Sequence, residues 1–153
     1  MGMRPMVWMV ILPACMVAGW FFARRPIREL VDGYQFEHAR LLFRRQREWL
    51  EAYFLKAIAI EDPLEAVRWD DARWLDQVHW ARDRQTHRLL ALLGVEFDVN
   101  PFDDSMIRHA TALFEFRKGR WFAEGKHVDA LRPDEALRRH RRYEPVTPPE
   151  RPV

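Results

Sequence analysis

The stretch MVWMVILPACMVAGWFFA, residues 6–23, contains no charged side chain and is followed at once by two arginines. At about 1.5 Å per residue, a helix over this stretch is roughly 27 Å long, close to the roughly 30 Å hydrocarbon core of a bilayer. Aromatic side chains lie near both of its ends, as in the aromatic belts of membrane helices. The stretch therefore predicts a single transmembrane helix within residues 1–25, anchored by Trp8, Trp20, Phe21, Phe22, Arg24 and Arg25.

Two other interpretations of this stretch compete with the transmembrane helix. Cys15 follows Leu-Pro-Ala, as in a bacterial lipoprotein signal, and would then carry the lipid, although apolar residues continue beyond it. The second competing interpretation is a buried helix of a soluble domain, but such a helix usually has polar positions at regular spacing. Arginines are more numerous after the stretch than before it. This predicts a bacterial or mitochondrial inner membrane, with the C-terminal region on the cytoplasmic or matrix side.

The composition excludes several classes of site. The chain has 153 residues, a formal net charge of +2 and a single cysteine. One cysteine excludes a disulfide framework or a paired-cysteine metal site, and the small net charge disfavours nucleic acid as a partner. The sequence contains no HExxH motif and no glycine-rich phosphate loop. We therefore expect no enzymatic activity, no cofactor and no bound metal.

Residues 26–94 are predicted to form an amphipathic, antiparallel helical hairpin. The first helix covers Tyr34 to Ile60, because apolar residues recur there at intervals of three and four. Its apolar stripe comprises Phe36, Ala39, Leu42, Phe43, Trp49, Leu50, Tyr53, Phe54, Ala57 and Ile60. Asp62 and Pro63 are typical of a helix start, and a second helix is predicted from Pro63 to Leu93, ending at Gly94.

The remainder of the chain is predicted to be a small helical region, residues 95–144, followed by a proline-rich tail, residues 145–153. Residues 113–124 fit either a hairpin turning at Lys118-Gly119 or a helix that ends at Gly119. The sequence Pro133-Asp134-Glu135 is typical of the start of a helix, and it predicts a last short helix here. The expected fold class is therefore mainly α, with a possible α+β hairpin near the C-terminus.

Two tryptophans of the predicted second helix suggest a binding surface. At about 100° per residue, Trp69 and Trp80 project away from that helix's apolar seam. Asp76 and Asp83 lie near them, and tryptophan is enriched at protein interfaces. One interpretation is a docking face for another subunit made of these four residues. The other is that a segment of the same chain folds back over the two rings.

Three other groups carry side chains of chemical interest. His79, Asp83 and His87 are spaced four apart, as in helix-borne metal sites, but neighbouring arginines favour a solvated polar face. Asp103, Ser105 and His109 offer the residue types of a nucleophilic triad, although helix capping explains the first two better. A basic cluster, comprising Arg138, Arg139, Arg141 and Arg142, is predicted to bind anionic lipid headgroups or to be a solvated helix end.

The sequence favours a non-enzymatic, single-pass membrane protein that is an accessory, assembly or scaffold subunit of a larger complex. Its expected partners are other membrane-protein subunits and the lipid bilayer. Respiratory or photosynthetic complexes and secretion or conjugation machinery are the candidate assemblies. The alternatives are a membrane-anchored ligand- or metal-binding module, and a tethered regulator that binds anionic lipid or nucleic acid through the basic cluster.

Overall fold

A computed structural model describes residues 5–98 and 107–147, with side chains described for residues 33–97 and 107–147. The chain separates into two units, Met1–His38 and Ala39–Val153. Helix α1, Pro5–Glu61, contributes to both units. The packing described below is that of the second unit, which contains the sheet and the other helices.

Two short helices follow α1, and both begin where the sequence predicts. Helix α2 covers Pro63–Asp70. The Asp62 carboxylate accepts hydrogen bonds from the backbone N–H groups of Leu64 and Glu65 at 3.0 and 3.2 Å, so the predicted N-cap is confirmed. Helix α3 covers Pro133–Arg139.

The rest of the unit is an antiparallel sheet. Its strands are β1 Arg73–Asp83, β2 Leu89–Asp98, β3 Ile107–Arg117, β4 Arg120–Phe122, β5 His127–Asp129 and β6 Tyr143–Pro145. The strand order is β4-β3-β2-β1-β6, and β5 also pairs with β3. The long central strands are therefore β2 and β3, which pair over their whole length.

Helices cover both faces of the sheet. On one face, α1 contributes the fully buried side chains of Phe43, Leu50 and Phe54. On the other face, α3 closes an aliphatic cluster that comprises Ala81, Leu90, Leu92, Leu113, Leu131 and Ala136. Because β2 is buried on both sides, apolar residues occupy consecutive positions along it, as in strands at the centre of a layered fold.

A bulge interrupts the pairing of β1 with β2. Trp74 pairs with Val95 and Val78 pairs with Leu93, so residues 75–77 lie opposite Gly94 alone. A side chain at Gly94 would approach Leu75 Cδ1 to 2.8 Å. Arg47 of α1 stabilises the bulge from outside, because its guanidinium donates to the Leu75 carbonyl at 2.8 Å and to the Asp76 carbonyl at 3.2 Å.

The predicted fold class is wrong, because a six-stranded antiparallel sheet replaces most of the expected helices. The second helix of the expected hairpin ends at Asp70, and residues 73–98 form β1 and β2. Gly94 lies in the middle of β2 and does not end a helix. Within the described part of residues 95–144, α3 is the only helix. The alternative of a hairpin that turns at Lys118-Gly119 is confirmed, because β3 and β4 pair on either side of this turn.

The N-terminal prediction also needs correction. Within the part of the chain that the structure describes, no helix is long and apolar enough to cross a membrane, which contradicts the expected single-pass anchor there. The backbone of α1 is helical throughout Pro5–Glu61. The side chains of Trp8, Trp20, Phe21, Phe22, Arg24 and Arg25 lie outside the described ones, as do residues 148–153 of the predicted tail.

Candidate functional site

A group of large apolar side chains on α1 and α2 is exposed to solvent. We call it the α1–α2 face, and it comprises Leu41, Trp49, Tyr53, Ile60, Leu64 and Val67. The exposed fraction is 77% for Ile60, 84% for Leu64 and 65% for Val67. Single exposed apolar residues are normal, but six large ones on two consecutive helices are candidates for contact with another molecule.

The α1 members of this face lie on one side of the helix. At about 100° per residue, Leu41, Trp49, Tyr53 and Ile60 fall within about 120° of one another. Phe43 and Phe54, which are fully buried against the sheet, lie on the other side. From Leu41 to Ile60 the helix rises about 28 Å. The face is therefore a long, narrow stripe directed away from the sheet.

The centre of the stripe is aromatic. The rings of Trp49 and Tyr53 contact each other, with 4.0 Å between centroids and 39° between planes. The Lys56 ammonium lies 6.0 Å from the centroid of the Tyr53 ring. Tryptophan and tyrosine carry a large share of the binding energy in many protein interfaces. Trp49 and Tyr53 are thus the strongest candidates for contact residues on this face.

A shallow groove lies beside the stripe, where α1 and α2 meet. It has a volume of about 330 Å³ and is lined by Leu55, Lys56, Ala59, Ala66, Val67 and Asp70. The two alanines keep its floor low, because they project only a methyl group. A side chain from a partner would contact apolar atoms there, between one cationic and one anionic residue.

The opposite side of the sheet contains a polar pocket of about 300 Å³. Asp83 is its most buried charged residue, with 4% of its surface exposed. Its Oδ2 accepts hydrogen bonds from Arg142 Nη2 at 2.6 Å and from Arg142 Nε at 2.9 Å. These hydrogen bonds, with those from the Gln85 and Thr86 amides to Oδ1, lower the pKa of Asp83 to about 2. The carboxylate is therefore a fixed anion that joins β6 to the β1–β2 turn.

The other charged side chains of this pocket are also paired. Glu124 forms ion pairs with Lys126 at 2.7 Å and with Arg117 at 2.5 Å. The hydrogen bond from Lys126 is the largest cause of the lowered pKa of Glu124. Arg88 forms an ion pair with Glu115. Since cations lower the pKa of Asp83 and of Glu124, neither of these two carboxylates has the raised pKa of a general acid at neutral pH.

The structure does not support a docking role for the two tryptophans selected from the sequence. Trp69 is fully buried and Trp80 is 9% exposed. Trp69 packs edge-on against Phe97, and Trp80 packs against Phe43 and Trp121. The chain itself covers both rings, which was the competing interpretation. Of the two acids named with them, Asp83 is buried and Asp76 is fully exposed, with Oδ1 3.5 Å from Arg47 Nη1.

The basic cluster is partly neutralised. Arg138 forms an ion pair with Asp134 at 2.6 Å, and Arg142 is held by Asp83. Arg139 and Arg141 are exposed at the end of α3. Because two of the four cations have anionic partners, the cluster has less net charge available for lipid headgroups than the sequence alone indicates.

The other two constellations are not assembled as the sequence suggested. Asp83 binds Arg142, while His87 lies in the β1–β2 turn with φ +56°, so His79, Asp83 and His87 do not share a helix face. Asp103 and Ser105 lie outside the described residues. His109 Nδ1 is 3.7 Å from Glu96, and its Nε2 is 3.1 Å from Arg132 Nη2.

Sequence reasoning missed the α1–α2 face because it placed Trp49, Tyr53 and Ile60 within the buried stripe of α1. A helical projection contains the missing signal, since Trp49 and Ile60 lie at the edge of that stripe, more than 100° from Phe54. Comparisons with protein-family models, with curated proteins and with solved structures find no match for this chain. Its candidate function therefore depends on the geometry described above.

Proposed function

We propose that this protein is a non-enzymatic accessory or scaffold subunit that joins a larger assembly by packing its α1–α2 face against an apolar helix of a partner subunit. The observation that carries the proposal is the exposure of six large apolar side chains on the consecutive helices α1 and α2. Transferring apolar surface out of water is favourable by about 25 cal/mol per Å². A partner that covers this face would gain that free energy.

The shape of the face favours a helix as the partner element. The stripe is about 28 Å long, which corresponds to about 19 residues of α-helix. The groove between α1 and α2 runs beside it and is floored by Ala59 and Ala66, so a second helix can approach closely there. Apolar helices commonly pack into grooves of this kind through side chains spaced three and four residues apart.

The polar pocket supports a structural role more than a catalytic one. Asp83, Glu115 and Glu124 each have a cationic partner, and the Asp83 pair connects β6 to the β1–β2 turn. Charges fixed in this way stabilise a local geometry and are poorly suited to proton transfer at neutral pH. The proposal therefore contains no catalytic step.

Localisation of the assembly at a membrane stays a prediction from composition. The test is fractionation of the source cells at neutral pH. Recovery of the protein with the membrane fraction is expected, and recovery in the soluble fraction would contradict the predicted localisation. This outcome is independent of the docking proposal, because a partner helix can also belong to a peripheral subunit.

The docking proposal is tested by changing the centre of the stripe. Trp49→Glu with Tyr53→Glu places two charges where the partner helix would pack. We expect the protein, extracted from its own cells in mild detergent, to shift from a large complex to a small species on a native gel. Both side chains are about half exposed, so the fold should persist, which circular dichroism would verify.

The matched control is Gln77→Glu with Gln85→Glu, which introduces the same charge at exposed positions outside the α1–α2 face. The control variant should remain in the large complex. A wild-type protein that migrates as a monomer at native expression would contradict the proposal, as would a folded stripe variant that still migrates with the complex.

A further inference from the structure

Three side chains with metal-binding atoms meet beside α2. Glu65 belongs to α2, whereas His127 and Asp129 lie two residues apart on β5 and so on the same side of that strand. One ligand atom from each lies within 4.8 Å of the other two. His127 Nε2 is 3.7 Å from Asp129 Oδ2. This cluster shares no residue with the α1–α2 face, and its His127 also lines the pocket that contains Asp83 and Arg142.

The backbone fixes the tautomer of His127. Its Nδ1 lies 2.9 Å from the Gly125 carbonyl oxygen, which can only accept a hydrogen bond. In the neutral ring the proton is therefore on Nδ1, and Nε2 presents a lone pair towards the two carboxylates. Metal-binding histidines usually donate their other N–H to such an acceptor. Gly125 is buried with φ +71°, and Ile58 packs against it, so the accepting carbonyl is held in place.

Glu65 is also held in place. Its Oε1 accepts a hydrogen bond from Nε1 of the fully buried Trp69 at 2.9 Å. The His127 ring packs against the same indole, with 5.0 Å between centroids. A helix carboxylate and a strand imidazole are thus oriented by one buried side chain, whereas the third member, Asp129, is 61% exposed.

We propose that Glu65, His127 Nε2 and Asp129 bind one divalent transition-metal ion of the Zn²⁺ type, with water completing its coordination. One imidazole nitrogen and two carboxylate oxygens form a donor set that such ions accept. In a tetrahedral zinc site, bonds of about 2.1 Å place neighbouring ligand atoms about 3.4 Å apart. Closing the present spacing of up to 4.8 Å requires a small shift of the Glu65 carboxylate together with rotation of the exposed Asp129 carboxylate. The site does not depend on the docking proposal.

Arg68 opposes cation binding at this site. Its Nη1 is 3.1 Å from Glu65 Oε1, and its guanidinium is stacked on the Phe97 ring. Its positive charge raises the free energy of a cation nearby and competes for the Glu65 oxygens. Removing that charge should therefore strengthen metal binding. A substitution of Arg68 thus changes the metal affinity in the opposite direction from removal of a ligand.

The test is calorimetric titration of the full chain with zinc chloride. One site per chain is expected, with affinity lowered at least tenfold by Asp129→Asn and by Glu65→Gln. Arg68→Gln should raise affinity. Asp71→Asn, which changes an exposed carboxylate outside the cluster, should leave it unchanged. Absence of binding by the wild-type chain would overturn the proposal, as would equal affinities for Asp129→Asn and Asp71→Asn.

A second measurement locates the ion. Binding of paramagnetic Co²⁺ should broaden the indole N–H resonance of Trp69, which donates to Glu65, and leave that of the exposed Trp49 sharp. Asp129→Asn should abolish the broadening. Because this substitution leaves the packed His127 ring intact, we expect the variant to stay folded. Loss of the Co²⁺-induced broadening would then report the removal of a ligand. Broadening of Trp49 without Trp69 would place the ion elsewhere and overturn the assignment.

Discussion

The two faces of the sheet are stabilised by different kinds of contact. Towards α1 the packing is aromatic: the Phe43 ring lies 4.9 to 5.6 Å from the rings of Trp80, Phe114 and Trp121. A buried polar contact also lies on this side, from Trp121 Nε1–H to the Ala39 carbonyl at 2.8 Å. Towards α3 the packed side chains are aliphatic, and polar contacts join the segments that cover them.

This difference has a consequence for stability. Aromatic burial contributes free energy in proportion to area and is insensitive to pH. The α3 side depends on buried polar groups, whose loss leaves an unsatisfied partner and whose contribution changes with protonation. We therefore expect large, pH-independent effects from substitutions on the α1 side and smaller, partly pH-dependent effects on the α3 side.

The largest effect is expected from Phe43→Ala. The side chain is fully buried among three aromatic rings, so its removal should lower the free energy of unfolding by about 3–5 kcal/mol. Urea unfolding of the full chain measures the loss, which should be the same at pH 7 and pH 4. The matched control is Tyr53→Ala on the same helix, whose half-exposed ring should cost far less. Similar losses for the two variants would remove the distinction between the buried and exposed sides of α1.

Asp83→Asn tests the polar side and should cost about 2 kcal/mol at pH 7. Arg142 lowers the pKa of Asp83 from 3.8 in the unfolded chain to about 2 in the folded one. The stabilisation is therefore fully present well above pH 3.8, falls as the pH drops towards 2, and is absent below that. Unfolding free energies of wild type and variant should converge over this interval.

The control for that prediction is Asp76→Asn, an exposed carboxylate of the same strand. It should change stability little at any pH. A gap between wild type and Asp83→Asn that stays constant from pH 7 to pH 2 would show that the carboxylate charge does not contribute.

A smaller effect is expected from Thr111→Val. The Thr111 hydroxyl is fully buried and donates to the Leu131 carbonyl at 2.8 Å. Valine keeps the shape but leaves that carbonyl without this donor, which should cost about 1 kcal/mol. Thr86→Val, at an exposed position of the β1–β2 turn, is the matched control. A stabilised Thr111→Val variant would mean that apolar packing dominates on this face as well.

The smallest effect is expected from Arg138→Ala. Its ion pair with Asp134 is largely exposed, so the change in unfolding free energy should be under about 0.5 kcal/mol. The same variant serves in a test of lipid binding by the basic cluster. If that cluster binds anionic lipid, Arg139→Ala with Arg141→Ala should weaken sedimentation with phosphatidylserine vesicles more than Arg138→Ala does, because Arg138 is already paired.

Local signals in the sequence located the helix starts but not the strands. Asp62 and Pro63 specify the beginning of α2 through a cap that needs only neighbouring residues. In β1 the residues facing α1 include Trp74, Val78 and Trp80, because the bulge inserts residues between the first two. The resulting interval of four resembles helical spacing and hides the alternation of a strand.

The candidate sites depend on long-range contacts even more strongly. Glu65 meets His127 and Asp129 only because α2 packs beside β5, and no spacing in the sequence connects residue 65 to residue 127. The pairing of Asp83 with Arg142 likewise spans 59 residues. In contrast, the exposed side of α1 follows from angular positions on one helix and could be deduced from residues 41–60 alone.

The sequence by itself determined the amphipathic part of α1, the capped start of α2 and the start of α3, and it gave the turn at Lys118-Gly119 as one of two alternatives. Each of these depends on residues within a few positions of one another. Tertiary structure decided that Leu- and Ala-rich segments such as β2 are strands, since burial between α1 and α3 permits apolar residues at every position. It also decided which indoles are covered and which carboxylates are paired, because both depend on segments that are distant in the chain.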